Sequence, residues 1–171
     1  IVYSGKQPIE LSLDSASGSF IGKRVKGYSD NGAHLTEIKN LYIADFVTIE
    51  NASGGSGNDL IEGNSISNFL AGGKGNDRIY GGSGDDYLEG GRGKDSLYGG
   101  SGNNVFKLSI GSGFDRIMDF KKGEDRVEIA DFDINQLEVF ESGKNLKIYL
   151  DQEKSDLLAI IYNQNFNDGS I

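Results

Sequence analysis

GGSGNDLIE GNSISNFLA GGKGNDRIY GGSGDDYLE GGRGKDSLY GGSGNNVFK, residues 54–107, is one nine-residue unit written six times. The eighth position of every unit is apolar: Ile61, Leu70, Ile79, Leu88, Leu97 and Phe106. Apolar residues make up 36% of the chain, so six such hits in one frame would arise by chance roughly two times in a thousand, which separates a packed repeat from a glycine-rich flexible linker. The sixth position carries Asp59, Asn68, Asp77, Asp86, Asp95 and Asn104.

A unit made of a glycine-rich hexamer and a three-residue strand is half a coil. Units two apart then stack at strand spacing, about 4.8 Å, and two parallel sheets are expected. Each strand points its eighth-position side chain inward, and the hexamers turn on both edges, where glycine takes backbone conformations that other residues resist. Stacking brings Asp59, Asp77 and Asp95 into one column and sets Asp86 between Asn68 and Asn104 in the other. Like charges so close repel. A hard divalent cation that takes six to eight oxygens from carboxylates and main-chain carbonyls reverses the sign, and tolerance of irregular geometry favours calcium over magnesium. Six buried side chains are few to set against the ordering entropy of a glycine-rich segment. The roll is therefore expected to be disordered without calcium and folded with it.

Composition agrees with a thin core. The 171 residues hold 26 Gly, one Pro and no Cys, with a net charge of −9 and a pI near 4.6. That balance argues against nucleic acid and anionic membranes and implies a cationic partner. Without cysteine there is no disulfide framework and no thiolate metal site. The longest apolar runs, such as Leu157 to Tyr162, are too short to span a bilayer, so a soluble chain is expected. The first residues lack a signal peptide's pattern, and a start at Ile1 reads as a piece of a longer protein.

Outside the repeat, short apolar segments alternate with polar breaks. Strands are expected at Ile1 to Tyr3, Ile9 to Leu13, Val25 to Tyr28, Leu41 to Ile43 and Phe46 to Ile49, then at Arg126 to Ala130, Leu137 to Phe140, Leu146 to Leu150 and Leu157 to Tyr162. Ile134 to Leu137 is the one stretch with helical character. The expected fold is all-β: a right-handed parallel β-roll, or β-helix, over 54–107, with an N-terminal β flank at 1–53 and a C-terminal antiparallel β cap at 108–171. The cap would cover a coil end that otherwise invites edge pairing.

The units, with GSGFDRIMDFKKGEDRVEIADFD at 111–133, closely resemble the RTX calcium-binding module of Gram-negative proteins exported by type I secretion, such as the C-terminal parts of serralysin-like proteases, lipases and haemolysin-type toxins. IVYSGKQPIELSLDS at the start and FVTIENASGGSGND at 46–59 also resemble the flank preceding such rolls. The resemblance implies that carbonyls at unit positions two and four and the Asp at six hold each ion, with carbonyls at positions one and three and the Asp two units later. Carried over, one site joins Gly55, Gly57 and Asp59 to Gly72, Lys74 and Asp77. The next joins Gly73, Gly75 and Asp77 to Gly90, Arg92 and Asp95. On the opposite edge Gly82, Gly84 and Asp86 meet Gly99, Ser101 and Asn104. Lys74 and Arg92 would give main-chain oxygens only.

The second unit departs from the pattern, so Asn64, Ile66 and Asn68 with Gly81, Ser83 and Asp86 would form a weaker site, and Asn104 weakens the last one. Upstream, Thr48 and Glu50 would meet Gly63, Ser65 and Asn68. Downstream the register slips by two residues, and Asp115 with Asp125 would close a final ion beside Gly91, Gly93 and Asp95. Five or six calcium ions are implied, enough positive charge to cancel the −9.

No catalytic residue is expected. His34 is alone, GxSxG and the P-loop are missing, and the one proline, Pro8, follows Gln7, so Asp-Pro self-cleavage has no site. The function so implied is a monomeric, non-catalytic module, secreted through the type I machinery of its parent protein and folding on extracellular calcium. Two alternatives stay open: a carbohydrate- or surface-binding module using an outward strip of Tyr80, Tyr87 and Tyr98, and a fragment of a secreted enzyme whose catalytic part lies upstream. The terminal FNDGSI reads equally as an export signal or a cut.

Overall fold

In the computed structural model the chain is described at residues 50–110, 113–129, 137–150 and 156–162, and at the backbone of five earlier strands, β1 (Ile9–Ser12), β2 (Gly18–Ile21), β3 (Gly27–Tyr28), β4 (His34–Leu35) and β5 (Leu41–Tyr42). The strands expected at Ile1 to Tyr3 and Phe46 to Ile49 lie outside the described residues, as does most of Ile134 to Leu137. No helix occurs among the described residues.

The repeat supplies β7 (Leu60–Glu62), β8 (Phe69–Lys74), β9 (Arg78–Ser83), β10 (Tyr87–Arg92), β11 (Ser96–Ser101) and β12 (Val105–Leu108), preceded by β6 (Asn51–Ser53). Strands from alternate units pair in parallel and residues eighteen apart stand side by side: Phe69 beside Tyr87 and Tyr87 beside Val105 in one sheet, Leu60 beside Arg78 and Arg78 beside Ser96 in the other. This is a parallel β-solenoid of the β-roll type. The period-two alternation of a strand puts every eighth-position side chain inside. Ile61, Leu70, Ile79, Leu88, Leu97 and Phe106 are all 0% exposed.

The roll runs past the six units at both ends. Upstream, β6 pairs with β8 and brings Ala52 into the core. Downstream, β13 (Asp115–Ile117) extends one sheet and β14 (Arg126–Ile129) the other, with Ile117 buried and Val127 packed against the core. Two shifted units are thus visible, IGSGFDRIM at 110–118 and FKKGEDRVE at 120–128. The slip is not uniform: Asp95 meets Asp115 across a separation of 20 residues and Asn104 meets Asp125 across 21, against 18 within the repeat.

The C-terminal strands β15 (Glu138–Ser142), β16 (Asn145–Tyr149) and β17 (Leu157–Ile161) form an antiparallel meander. β17 pairs in parallel with β13, the last roll strand of its sheet, and so covers the strand edge open at that end of the roll, burying Leu158, Ala159 and Ile161. At the sheet's other end β1 pairs in parallel with β7, then β2 and β5 follow antiparallel. One sheet therefore has ten strands, β15-β16-β17-β13-β11-β9-β7-β1-β2-β5, and the facing sheet five, β14-β12-β10-β8-β6. The flanking strands β17 and β1 thus cover the edges that the roll strands β13 and β7 would otherwise expose.

The three tyrosines expected in one strip are divided between the sheets. Tyr80 stacks on Tyr98 at 4.4 Å, whereas Tyr87 stacks on Phe69 at 5.0 Å from the other sheet. Positions seven and nine of a unit both face out, but consecutive units alternate sheets, so neighbouring aromatics in sequence part company.

Candidate metal centre

The sixth-position residues line the two turn columns. Asp59 (2% exposed), Asp77, Asp95 and Asp115 form one; Asn68, Asp86, Asn104 and Asp125 form the other. In each rung one oxygen of the lower residue accepts the N–H of the residue above. Asp59 N–H donates to Asp77 Oδ1 at 2.7 Å, Asp77 N–H to Asp95 Oδ1 at 2.7 Å, Asn68 N–H to Asp86 Oδ1 at 2.8 Å and Asp86 N–H to Asn104 Oδ1 at 3.0 Å. Asp125 thus ends the column of Asp86 and Asn104, opposite the Asp95 side expected for it. The insertion of Leu108, Ser109 and Asp119 between units changes the frame twice, and each acidic residue follows its own sheet.

The second carboxylate oxygen tells more. Asp77 Oδ2, Asp86 Oδ2 and Asp95 Oδ2 are buried and have no hydrogen-bond partner. A buried anionic oxygen without a donor is costly unless something positive meets it. Glycine at position one leaves the room: a Cβ on Gly72 would strike Asp77 Oδ2 and the carbonyl oxygen of Gly90, one on Gly81 would strike Asp86 Oδ2 and that of Gly99, and one on Gly54 would strike Asp59 Oδ2 and that of Gly72. A carboxylate oxygen and a main-chain carbonyl from two units later therefore converge at each such place. At Gly63 the pair is Asn68 Oδ1 with the Gly81 carbonyl.

The carbonyls of positions two and four point along the stack. That of Gly73 faces Gly91 and that of Gly75 faces Gly93, glycines at φ +97° and +148°. A side chain there would be strained as well as blocked. In the weaker unit the carbonyl of Asn64 faces Gly82 in the same way, whereas Gly84 meets the peptide between Ile66 and Ser67 with the Ile66 oxygen turned farther off. Lys74, Ser83, Arg92 and Ser101 occupy position three at the ends of β8 to β11, with exposed side chains, as donors of main-chain oxygen would. Glu50 is exposed, and its carbonyl accepts from Asn68 Nδ2 at 3.2 Å; Thr48 lies outside the described residues. Gly63 and Ser65 head the Asn68 turn.

Among the described residues no group of three or more carboxylate, histidine or cysteine side chains comes together. An ion in these columns must then draw most of its oxygens from the main chain, a hard-oxygen set that suits calcium rather than zinc. The residues fit that ion. A second ladder, not foreseen in the sequence, stitches the turns from position five: Asn76 N–H donates to Asn58 Oδ1 at 2.8 Å, Lys94 N–H to Asn76 Oδ1 at 2.9 Å and Asn103 N–H to Asp85 Oδ1 at 2.8 Å. Its only sequence signal is an Asn or Asp at most fifth positions.

Crowding shows in the acidities. Burial, with the charges of Asp95 and Asp59, pushes Asp77 up to about 7; burial and Asp85 push Asp86 up to about 6. Burial and the neighbouring Asp95 push Asp115 up to about 8, and burial raises Asp95. Groups raised in the fold stabilise it fully below their unfolded value near 4 and lose that contribution as pH rises through the raised values. In chelator, β content by circular dichroism should therefore grow as pH falls from 8 towards 4. With calcium the trend reverses, since protons compete for the same oxygens: the calcium midpoint should rise over the same fall in pH. A midpoint independent of pH would separate these carboxylates from the ion.

The family described as RTX calcium-binding nonapeptide repeat (4 copies) matches residues 49–65, 53–88, 62–97, 71–106 and 80–117. Metalloprotease AprA of Pseudomonas entomophila (strain L48) is 56% identical over 103 residues, which cover 58% of this chain and 20% of that protein. Serralysin of Proteus mirabilis is 57% identical over 115 residues, 64% of this chain and 23% of that protein. The chain spans about a fifth to a quarter of these curated relatives.

Proposed function

Because this chain carries RTX calcium-binding nonapeptide repeats over residues 49–117, we propose that it is a calcium-responsive folding module of a larger secreted protein, itself without catalytic residues. The supporting observation is the set of three buried, partnerless carboxylate oxygens, on Asp77, Asp86 and Asp95, each belonging to a residue with a coil on either side. Six ions are proposed, three to a column. One column holds them between Asp59 and Asp77, Asp77 and Asp95, and Asp95 and Asp115. The other holds them between Glu50 and Asn68, Asn68 and Asp86, and Asp86 and Asn104. In each, carbonyls at positions two and four would share the ion with carbonyls at positions one and three of the unit two later.

The physical logic links metal to compartment. Calcium is scarce in cytosol, and extracellular modules bind it at roughly 0.1 to 1 mM. Unliganded columns repel themselves, so the chain stays unfolded for passage through a type I channel and folds outside as a monomer. Circular dichroism during a calcium titration tests this: disorder in chelator should give way to a β spectrum, and a full β spectrum in excess chelator refutes the switch. The glycan-binding alternative has weaker support, since Tyr80 and Tyr98 lie on one sheet and Tyr87 on the other.

A further inference from the structure

The column that ends at Asp125 closes unlike the coils before it. Val105 pairs with Arg126 and Phe106 with Val127, so in the unit 120–128 Lys121 stands at position two, Gly123 at four and Asp125 at six. Its turn matches the first of the series: Lys121 N–H donates to Asp125 Oδ2 at 2.8 Å, as Gly55 N–H does to Asp59 Oδ2 at 2.9 Å, whereas Oδ2 of Asp77, Asp86 and Asp95 accepts no hydrogen bond. Asn104 N–H donates to Asp125 Oδ1 at 2.8 Å and continues the rungs. By the spacing of the roll, the carbonyls of Gly100 and Gly102 with Asn104 and Asp125 would frame one more ion position.

Both carbonyls are met by side-chain donors here, whereas the position-two carbonyls of Gly55 and Asn64 accept the main-chain N–H of Lys74 at 2.8 Å and of Ser83 at 3.0 Å. Lys121 Nζ donates to the Gly100 carbonyl at 2.6 Å, and Asn104 Nδ2 reaches the Gly102 carbonyl at 3.5 Å. Glu124 lies 4.0 Å from the same ammonium. The inserted Asp119 takes the N–H groups of Gly99 and Gly100 at 2.8 and 2.9 Å, so a cation and an anion meet the two polar ends of Gly100.

We propose that the Lys121 ammonium stands in for calcium at the outermost position of this column and so ends the ion ladder. Resting on the calcium reading above, this explains why the series stops. Shortage of charge does not, for Asp125 with Asn104 carries the same single carboxylate as Asp86 with Asn104. A compact ammonium with three donors on a flexible stem satisfies carbonyl oxygens as a point charge. Unlike a free ion it cannot leave, so the end of the stack stays capped when calcium is low.

Lys121→Met keeps the apolar stem and removes the charge. Calcium per chain is counted by metal analysis after gel filtration at saturating calcium, with circular dichroism reporting the fold. Lys121→Met should hold one ion more than the wild type, and Lys121→Arg the wild-type number. An unchanged count in Lys121→Met, or a gained ion in Lys121→Arg, makes the lysine a mere surface contact and overturns the proposal. So does a Lys121→Met chain that folds at no calcium concentration, since calcium then cannot take the amine's place. A wild type that binds no calcium would instead sink the reading of the whole roll.

Discussion

The double variant Asp77→Ala, Asp86→Ala should need at least about tenfold more calcium to reach half its β signal, because ligand charge sets the affinity of oxygen sites. Each residue is shared by two coils. Asp77 accepts from Asp59 and donates its own N–H to Asp95; Asp86 accepts from Asn68 and donates to Asn104. Two substitutions therefore touch four of the six proposed ion positions. The sign in chelator is the reverse. Removing two carboxylates that burial holds up near 7 and 6 relieves the repulsion of the bare columns, so the variant should be no less ordered than the wild type there. Circular dichroism across a calcium series reads both arms. An unmoved midpoint rejects these aspartates as ligands, and a loss of order confined to chelator assigns them a purely structural part.

Gly72→Ala should remove at least one bound ion and lower the midpoint of thermal unfolding in calcium. The added Cβ would lie 2.6 Å from the Gly90 carbonyl oxygen and closer still to Asp77 Oδ2. A carbonyl is fixed by its own coil and yields poorly, and overpacking of this kind costs about 1 to 3 kcal/mol before any ion is lost. Gly143→Ala is the control. It sits in the β15–β16 turn at φ +68° with nothing near its Cβ position, so it carries backbone strain alone and should bind calcium like the wild type. Metal analysis and a melting curve on the three proteins decide the matter; equal ion counts in all three would mean that the space at position one is not an ion's.

Reading the chain by its nine-residue frame reaches far into the fold. Once Ile61 and Ile79 are known to be two units apart, their parallel pairing and the inward face of both follow, and so does the column of Asp59, Asp77 and Asp95. The division of Tyr80 from Tyr87 follows from the same alternation of sheets, although it is easily missed when residues are read as a linear strip. The position-five ladder of Asn58, Asn76 and Lys94 is less legible, because a main-chain donor eighteen residues away leaves no mark of its own in the residue type.

By itself the sequence determined the β-roll, its buried rungs and its acidic columns, since a fixed period makes every coil repeat the contacts of the last. The tertiary structure alone decided the ends. Where Leu108, Ser109 and Asp119 interrupt the frame, register no longer propagates. Asp115 and Asp125 part to opposite columns, Lys121 comes to rest on Gly100, and β17 and β1 take the strand edges left open by β13 and β7. Those pairings join residues far apart in the chain, and what selects them is unsatisfied hydrogen-bonding and charge at a boundary, quantities that exist only once the coils have stacked.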